Sequence, residues 1–206
     1  MAEMSSAIET SAPLPTPAFT NNHSEHTLSD EKLKHRSPYK LHLPGEFGEI
    51  KWSAHCQCRK ISYSLKQYSP IDAKFCHCRT CQVMHGAPYQ WAAIFNKDDI
   101  SFDHGCSGLL FYSASHNTQE SELPMKVSCS FCHTLIMDEY DEVCLLFPQL
   151  IEFDGTSDDR RKQMNHFKPS CHVFYEQRML DISDGLPKWS EMANSSRLLN
   201  DGGHKI

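Results

Sequence analysis

Seven of the ten cysteines in this 206-residue chain fall in three short clusters, and their spacing limits the possible folds more than any other feature. Cysteines grouped at such intervals are typical of metal sites, whereas thiols of an ordinary core have no reason to cluster. The fold must therefore bring separate cysteine pairs together around metal ions. The clusters are Cys56-Gln57-Cys58, Cys76-His77-Cys78-Arg79-Thr80-Cys81 and Cys129-Ser130-Phe131-Cys132.

The first and third clusters predict a closed zinc site. Side chains two residues apart on a strand point to the same face, so Cys56 and Cys58 can present two sulfur atoms to one ion. A C-x-x-C pair such as Cys129 and Cys132 does the same around a tight turn. Together the two pairs supply the four thiolates of a structural zinc, which would tie an early strand to a late one.

The middle cluster differs because it holds three cysteines, Cys76, Cys78 and Cys81. Three protein ligands leave one position of a tetrahedron open, which is how catalytic zinc sites differ from structural ones. The first alternative is a structural Cys₃His site closed by one of three histidines. The second is an iron–sulfur cluster, although the spacing fits neither common ferredoxin pattern. The three histidines are His77, His85 and His133.

Charge and hydropathy limit the partners of the chain. A net charge of -6 argues against broad electrostatic binding to nucleic acid or to an anionic membrane surface. The sequence holds no apolar stretch of about 18 residues, so no membrane partner is expected. Its first 20 residues lack the basic start and apolar run of a secretory signal. We expect a cytoplasmic protein, with the nucleus as the alternative, whose cysteines are thiols and metal ligands.

Along the chain, composition predicts a disordered tail at residues 1–37, rich in Ser, Thr, Pro, Asn and His, and one domain at residues 38–206 with its core at about 50–192. Short alternating apolar runs predict a mainly β fold of short antiparallel strands. The strand candidates are residues 61–65, 89–95, 109–112, 125–128, 135–140, 143–147 and 172–175. Residues 158–167 predict a polar helix with Ser157 or Asp158 as its cap.

The order of the clusters resembles the glutathione-dependent formaldehyde-activating enzyme family, whose domain also occurs in centromere protein V. The resemblance covers residues 55–192 and includes Tyr63, Gly86-Ala87 and the segments 108–112, 171–174 and 184–189. It implies a tent-like, zinc-bearing β fold and a condensation of glutathione with formaldehyde, formally a carbon–sulfur lyase reaction. It also implies a structural zinc at Cys56, Cys58, Cys129 and Cys132 and a catalytic zinc at Cys76, Cys78 and Cys81.

The chain departs from this family pattern near its cysteine pairs. Arg59 and His133 stand where family members usually have glycine, after the first C-x-C and after the C-x-x-C. A stretch that commonly contains glycine is here Leu146-Phe147-Pro148-Gln149. The metal ligands are intact, so the departures bear on the substrate pocket and leave metal binding unaffected.

Elementary chemistry suggests what an open three-cysteine zinc could do. Three thiolates more than neutralise the dication, which is then better suited to holding a substrate thiolate than to making hydroxide. A proton must also be moved, and His77 and His85 are the nearest candidates. Arg79 and Lys74 are candidates to attract the carboxylates of glutathione. The alternative for all four is a surface or ligand-supporting position without a direct role.

The sequence thus predicts a zinc-dependent carbon–sulfur lyase similar to S-(hydroxymethyl)glutathione synthase, with two zinc ions per chain. Its partners would be a small-molecule thiol, with glutathione as co-substrate, and an electrophile such as formaldehyde. One alternative is a non-catalytic zinc module that binds protein or nucleic acid, although the acidic balance disfavours nucleic acid. Another is a family member that acts on a different small metabolite. A homodimer is compatible with the sequence.

Overall fold

The computed structural model describes residues 31–119 and 122–206. Within this part of the chain, short strands form two sheets, and two short α-helices lie between strands. The helices are α1 (Arg79–His85) and α2 (Ser157–Met164). The strands are β1 (Trp52–His55), β2 (Ser62–Leu65), β3 (Asp72–Cys76), β4 (Gln90–Asn96), β5 (Ile100–Phe102), β6 (Leu109–Tyr112), β7 (Met125–Cys129), β8 (Leu135–Glu139), β9 (Val143–Leu146), β10 (Cys171–Val173), β11 (Lys188–Trp189) and β12 (Leu198–Leu199).

The smaller sheet has the order β1-β2-β5, and all of its strands are antiparallel. Side chains alternate between its faces, so Trp52 and Ala54 of β1 are buried together with Tyr63 and Leu65 of β2. These residues belong to one continuous core that includes Val127 and neighbouring apolar residues of the larger sheet. The first cysteine pair follows β1 directly, so this packing fixes where that pair lies.

The larger sheet has nine strands in the order β12-β11-β10-β3-β4-β9-β8-β7-β6. Its pairings are antiparallel except at β10, which runs parallel to both β3 and β11. Because β3 ends at Cys76, its parallel neighbour brings Val173 opposite that cysteine. The late segment 171–189 therefore lies beside the middle cysteine cluster.

The two helices are short, and side chains cap both of them. Cys78 is the N-cap of α1, and its sulfur accepts from the N–H of Cys81 at 3.4 Å. Gly86, with a φ of 58°, ends α1 in the left-handed conformation that glycine adopts without strain. Helix α2 is capped by Thr156 in a capping box with Asp159, so the prediction of Ser157 or Asp158 as its cap was wrong by one or two residues.

The mainly β prediction is confirmed, and each predicted strand is present within two residues of its expected ends. The sequence reasoning missed α1 and five strands, namely β1, β3, β5, β11 and β12. These elements are short, and β3 runs into the cysteine cluster, so period-two alternation is too brief to recognise there.

The predicted tail lies mostly outside the described residues, since residues 1–30 are not among them. Residues 31–37 are described, and Leu33, Arg36 and Ser37 all contact the domain, Ser37 through a hydrogen bond from its Oγ to Asp98. Leu33 is 2% exposed within the core, and Arg36 Nη1 lies 2.5 Å from Glu139 Oε1. The division at residues 37 and 38 stays a prediction, but packing against the domain begins before it. In the described residues no helix has the length and apolar character that crossing a membrane requires.

Candidate functional site

The first and third cysteine clusters meet as predicted. The sulfur atoms of Cys56, Cys58, Cys129 and Cys132 all lie within 4.8 Å of one another. Cys58 Sγ is 3.5 Å from Cys56 Sγ and 3.8 Å from Cys129 Sγ. Zinc bound to sulfur at about 2.3 Å in a regular tetrahedron would place its ligands about 3.8 Å apart. Four soft donors at this spacing fit a closed zinc site.

Two sharp turns shape this four-cysteine site, one after each pair. Arg59 has a φ of 62° and His133 a φ of 58°, so both adopt the left-handed backbone region that favours glycine. The backbone N–H of Arg59 donates to Cys56 O, and that of His133 donates to Cys129 O. The turns thus keep a conformation suited to glycine while carrying side chains, at a cost of about 1–2 kcal/mol each.

The middle cluster gathers at the junction of β3 and α1. Cys76 is the last residue of β3, Cys78 caps α1, and Cys81 lies in its first turn. Their sulfur atoms are within 4.8 Å of one another, with 3.6 Å between Cys81 and Cys76. No histidine, carboxylate or fourth cysteine of the described chain joins this group. The three-cysteine site therefore fits zinc with three protein ligands.

Because the three thiols are close together, their pKa values differ. Hydrogen bonds from Cys76 and Cys81 lower the pKa of the Cys78 thiol to about 2. Hydrogen bonding with Cys76 and then with Cys78 raises the pKa of the Cys81 thiol well above its ordinary value. One thiolate is thus held by two neutral thiols, and a bound dication is what would allow all three to ionise.

His77 lies between two of these cysteines in sequence, but its ring belongs to a row of hydrogen-bonded polar side chains. It is fully buried, and its Nε2 is 2.8 Å from His172 Nδ1. His172 Nε2 lies 2.9 Å from Asp184 Oδ2, and Lys188 Nζ lies 3.1 Å from Asp184 Oδ1. Burial, followed by the charge of His172, lowers the pKa of His77 to about 4. His77 is therefore neutral at physiological pH.

The other predicted residues lie in different surroundings. His85 ends α1 and borders a cleft of about 430 Å³, which we call the α1 cleft. Arg79 is exposed at the start of α1, and its backbone N–H donates to Gln177 Oε1 at 2.7 Å. Lys74 pairs with Asp72, and its Nζ is 3.9 Å from Cys171 Sγ. The walls of the α1 cleft include His85, Tyr89, Gln90, Trp91, His133 and Phe147.

Three polar residues beside the middle cluster were missed by the sequence reasoning. Lys126 of β7 and Asp138 of β8 are directly opposite each other, with 2.6 Å between Nζ and Oδ2. Gln90 of β4 stands opposite Cys76 in the sheet, and its Nε2 lies 3.4 Å from Asp138 Oδ2. All three are less than 9% exposed. Charged residues within apolar strands were the signal that could have found the pair.

The charge of Lys126 acts on the three-cysteine site. Burial alone would lower the pKa of Lys126, but its interactions with the Asp138 carboxylate and then with Cys81 raise that pKa above the usual value. Lys126 is therefore a stable ammonium group beside a cluster that becomes negatively charged when its thiols ionise. Such a cation favours the thiolate forms that metal binding and thiol chemistry require.

Comparisons with known proteins agree with the cysteine pattern. The family model described as glutathione-dependent formaldehyde-activating enzyme matches residues 51–177, which contain all seven clustered cysteines. A crystal structure of a Rhodobacter sphaeroides protein is similar at 17% sequence identity and a TM-score of 0.41, covering 52% of this chain and 93% of that one. No curated protein matches the chain.

Proposed function

The chain belongs to the glutathione-dependent formaldehyde-activating enzyme family, and on that premise we propose that it is a zinc-dependent carbon–sulfur lyase. Its reaction would join a small thiol, glutathione or a close analogue, to an electrophilic carbon such as that of formaldehyde, and would also run in reverse. The observation that carries the proposal is the contrast between the two cysteine groups. One has four thiols, and the other has three around the start of α1, the helix whose last residue, His85, lines the α1 cleft.

The proposal assigns different roles to the two cysteine groups. Cys56, Cys58, Cys129 and Cys132 would hold a structural zinc ion, while Cys76, Cys78 and Cys81 would hold a second ion at an incomplete ligand set. When bound there, zinc would supply a position at which a substrate thiol loses its proton. The protein side of the chemistry is then to bind the substrate, orient it and stabilise charge.

Residues of the α1 cleft would carry out those tasks. The rings of Tyr89 and Trp91 form an apolar wall against which the substrate's carbon chain can pack and exclude water. His85 and Gln90 lie at the same wall and offer polar groups for orientation. Lys126 adds positive charge on the side of the cysteines, where a thiolate would form. Holding thiol and electrophile side by side would itself accelerate their reaction.

The proposal is tested by exchange spectroscopy between free formaldehyde hydrate and its glutathione adduct. Because the two combine spontaneously, the zinc-loaded protein must raise the exchange rate above the uncatalysed rate. Cys78→Ser is the informative variant, since serine can still cap α1 while a metal ligand is lost. Cys144→Ala, which removes a buried thiol outside both cysteine groups, is the matched control and should retain the acceleration.

The same experiment distinguishes the enzyme from the non-catalytic alternative. Acceleration by the wild type and by Cys144→Ala, with none by Cys78→Ser, supports the enzyme. A wild-type protein that holds two zinc ions yet leaves the exchange rate unchanged with a panel of thiols and aldehydes contradicts it. In that case a zinc module that binds other macromolecules is the better interpretation.

A further inference from the structure

Three neighbouring polar side chains, at or next to the wall of the α1 cleft, each have a buried atom without a hydrogen-bond partner in the described structure. The atoms are His85 Nε2, Gln90 Oε1 and Asp138 Oδ1. His85 and Gln90 line the cleft, and Gln90 Nε2 lies 3.4 Å from Asp138 Oδ2, so Asp138 is next to the cleft wall. Gln90 is 2% exposed and Asp138 3% exposed. Buried polar atoms are normally paired, so these three indicate a ligand that brings its own polar groups.

The chemistry of the three atoms specifies the ligand. Gln90 Oε1 and Asp138 Oδ1 can only accept hydrogen bonds when the carboxyl group is ionised. Burial lowers the pKa of His85, so its ring is neutral. A neutral imidazole has one N–H and one acceptor nitrogen, so His85 Nε2 accepts when the proton is on Nδ1. With His85 in that tautomer the site consists of acceptors, which fit a ligand with hydroxyl donors, whereas a bare carbonyl oxygen would leave the acceptors unpaired. Formaldehyde in water is a diol, and its thiol adduct is an alcohol.

We propose that Asp138, with Gln90 and His85, forms the binding site for the hydroxyl group of the thiol–aldehyde adduct and that Asp138 exchanges the proton of that hydroxyl. This inference rests on the proposed function and adds a catalytic residue to it. The site lies within reach of the cysteine cluster, because the Lys126 ammonium group that touches Asp138 also interacts with Cys81.

The proton and electron pairs balance without any further reactant. In cleavage, the hydroxyl proton passes to Asp138 Oδ1, and the oxygen lone pair forms the carbonyl double bond. The carbon–sulfur bond breaks, and its electron pair leaves with the sulfur as thiolate. The negative charge thus moves from carboxylate to sulfur, and Lys126 lies beside the carboxylate and interacts with Cys81 of the cluster. In synthesis the thiolate attacks the carbonyl carbon, and the same proton returns from Asp138 to the oxygen.

Gln90 and Lys126 have supporting parts in this arrangement. Gln90 Nε2 approaches Asp138 Oδ2 at 3.4 Å while its Oε1 is left for the ligand. Lys126 holds the same carboxylate oxygen at 2.6 Å, which leaves Oδ1 facing the unpaired group. We therefore regard Lys126 as a positioning residue and Asp138 as the group that touches the substrate.

Asp138→Asn tests the proposal because asparagine keeps an oxygen acceptor but cannot take a proton. We expect the variant to lose at least about 100-fold in catalysed exchange, since general acid–base groups contribute about that much or more. Its zinc content and its affinity for glutathione alone should match the wild type. Because the single variant leaves Lys126 buried without a counter-charge, the double variant Asp138→Asn with Lys126→Gln, which replaces the ion pair by an amide pair, is measured beside it.

A binding measurement separates this inference from the proposed function. S-(2-hydroxyethyl)glutathione and S-methylglutathione differ by a terminal CH₂OH group, and the wild type should bind the hydroxyl compound more tightly. Gln90→Leu and both Asp138 variants should lose this preference. If the wild type accelerates exchange and the folded Asp138 variants do so equally, the inference is overturned and the proposed function stands. A wild type that fails to accelerate exchange overturns both.

Discussion

His77 Nε2 lies 2.8 Å from His172 Nδ1, and neither ring is exposed to solvent. A carboxylate accepts hydrogen bonds, so the proton between His172 and Asp184 belongs to His172 Nε2. Neutral His172 must then accept at Nδ1, and His77 Nε2 must donate. Burial first of all lowers the pKa of both rings. The two rings therefore form a neutral pair with one defined proton arrangement.

The histidine pair makes stability depend on pH. Below the ordinary histidine pKa of 6.5 the unfolded chain binds protons that the folded protein resists. The stability contribution of the neutral pair is therefore complete above about pH 7 and falls as the pH drops below 6.5. For His77, whose folded pKa is about 4, the loss continues toward pH 4 at up to about 1.4 kcal/mol per pH unit. Denaturant unfolding at pH 7.5, 6.5 and 5.5, with zinc content checked at each pH, measures the slope.

Two variants identify the source of that slope. His172→Gln removes one buried ring while keeping a polar side chain, so its stability should depend less on pH than that of the wild type. His104→Gln changes an exposed histidine and should leave the slope unaltered. Equal slopes for all three proteins would show that other groups cause the pH dependence.

The four-cysteine and three-cysteine sites should respond differently to the loss of one ligand. Cys129→Ser removes a link between β7 and the end of β1, and structural zinc binding contributes directly to folding. We expect this variant to unfold or aggregate. Cys78→Ser should remain folded with one zinc ion instead of two, because its cluster lies within six residues and joins one strand to one helix. Elemental analysis and thermal melting distinguish the two outcomes.

If Cys78→Ser lowers the melting temperature as much as Cys129→Ser does, the middle cluster is structural. For the wild type we expect two zinc ions per chain. Because the three-cysteine site has an incomplete ligand set, the protein is analysed both as purified and after zinc addition. At most one bound ion under both conditions would contradict the two-site interpretation.

The sequence indicated the grouping of the cysteines better than it indicated their surroundings. Thiols such as Cys76 and Cys78 are few and closely spaced, so their grouping is visible without a fold. Lys126 and Asp138 are 12 residues apart and become partners through the pairing of β7 with β8. That register depends on a bulge between Val127 and Ser128. Single-sequence patterns do not contain such a pairing, and only the charges within apolar strands hinted at it.

The candidate acid–base residues show the same limit. His77 and His85 were selected because they lie near the cysteines in sequence, but their rings point to different surroundings. His77 faces His172 from β10, a partner 95 residues later, whereas His85 packs edge-on against Phe147 at the α1 cleft. Proximity along the chain could not separate these environments, because the fold determines which element covers each ring.

The left-handed turn at His133 predicts a stabilising substitution. His133→Gly should raise the free energy of unfolding by about 0.5–1 kcal/mol, because relief of strain exceeds the added freedom of the unfolded chain. Ser130→Gly is the control in the same loop; because Ser130 has no positive φ, this variant should be destabilised. A His133→Gly protein that is less stable than the wild type would show that the imidazole makes contacts outweighing the backbone strain.

The contact between Arg36 and Glu139 predicts where the N-terminal segment can be shortened. Glu139 is fully buried, and it is also bonded to Lys97 Nζ at 2.7 Å and to Tyr39 Oη at 2.5 Å. Removing Arg36 takes one cation from a buried carboxylate, and removing Leu33 exposes core surface worth about 2 kcal/mol. A chain that begins at residue 31 should therefore melt at a higher temperature than one that begins at residue 38.

The full-length variant Arg36→Met, which keeps an apolar stem without the charge, tests the ion pair alone. Its melting temperature should fall between those of the two shortened chains. Zinc content should be two ions in each, since none of these residues belongs to either cysteine group. Equal melting temperatures for the two shortened chains would support the boundary between tail and domain that composition predicts after residue 37.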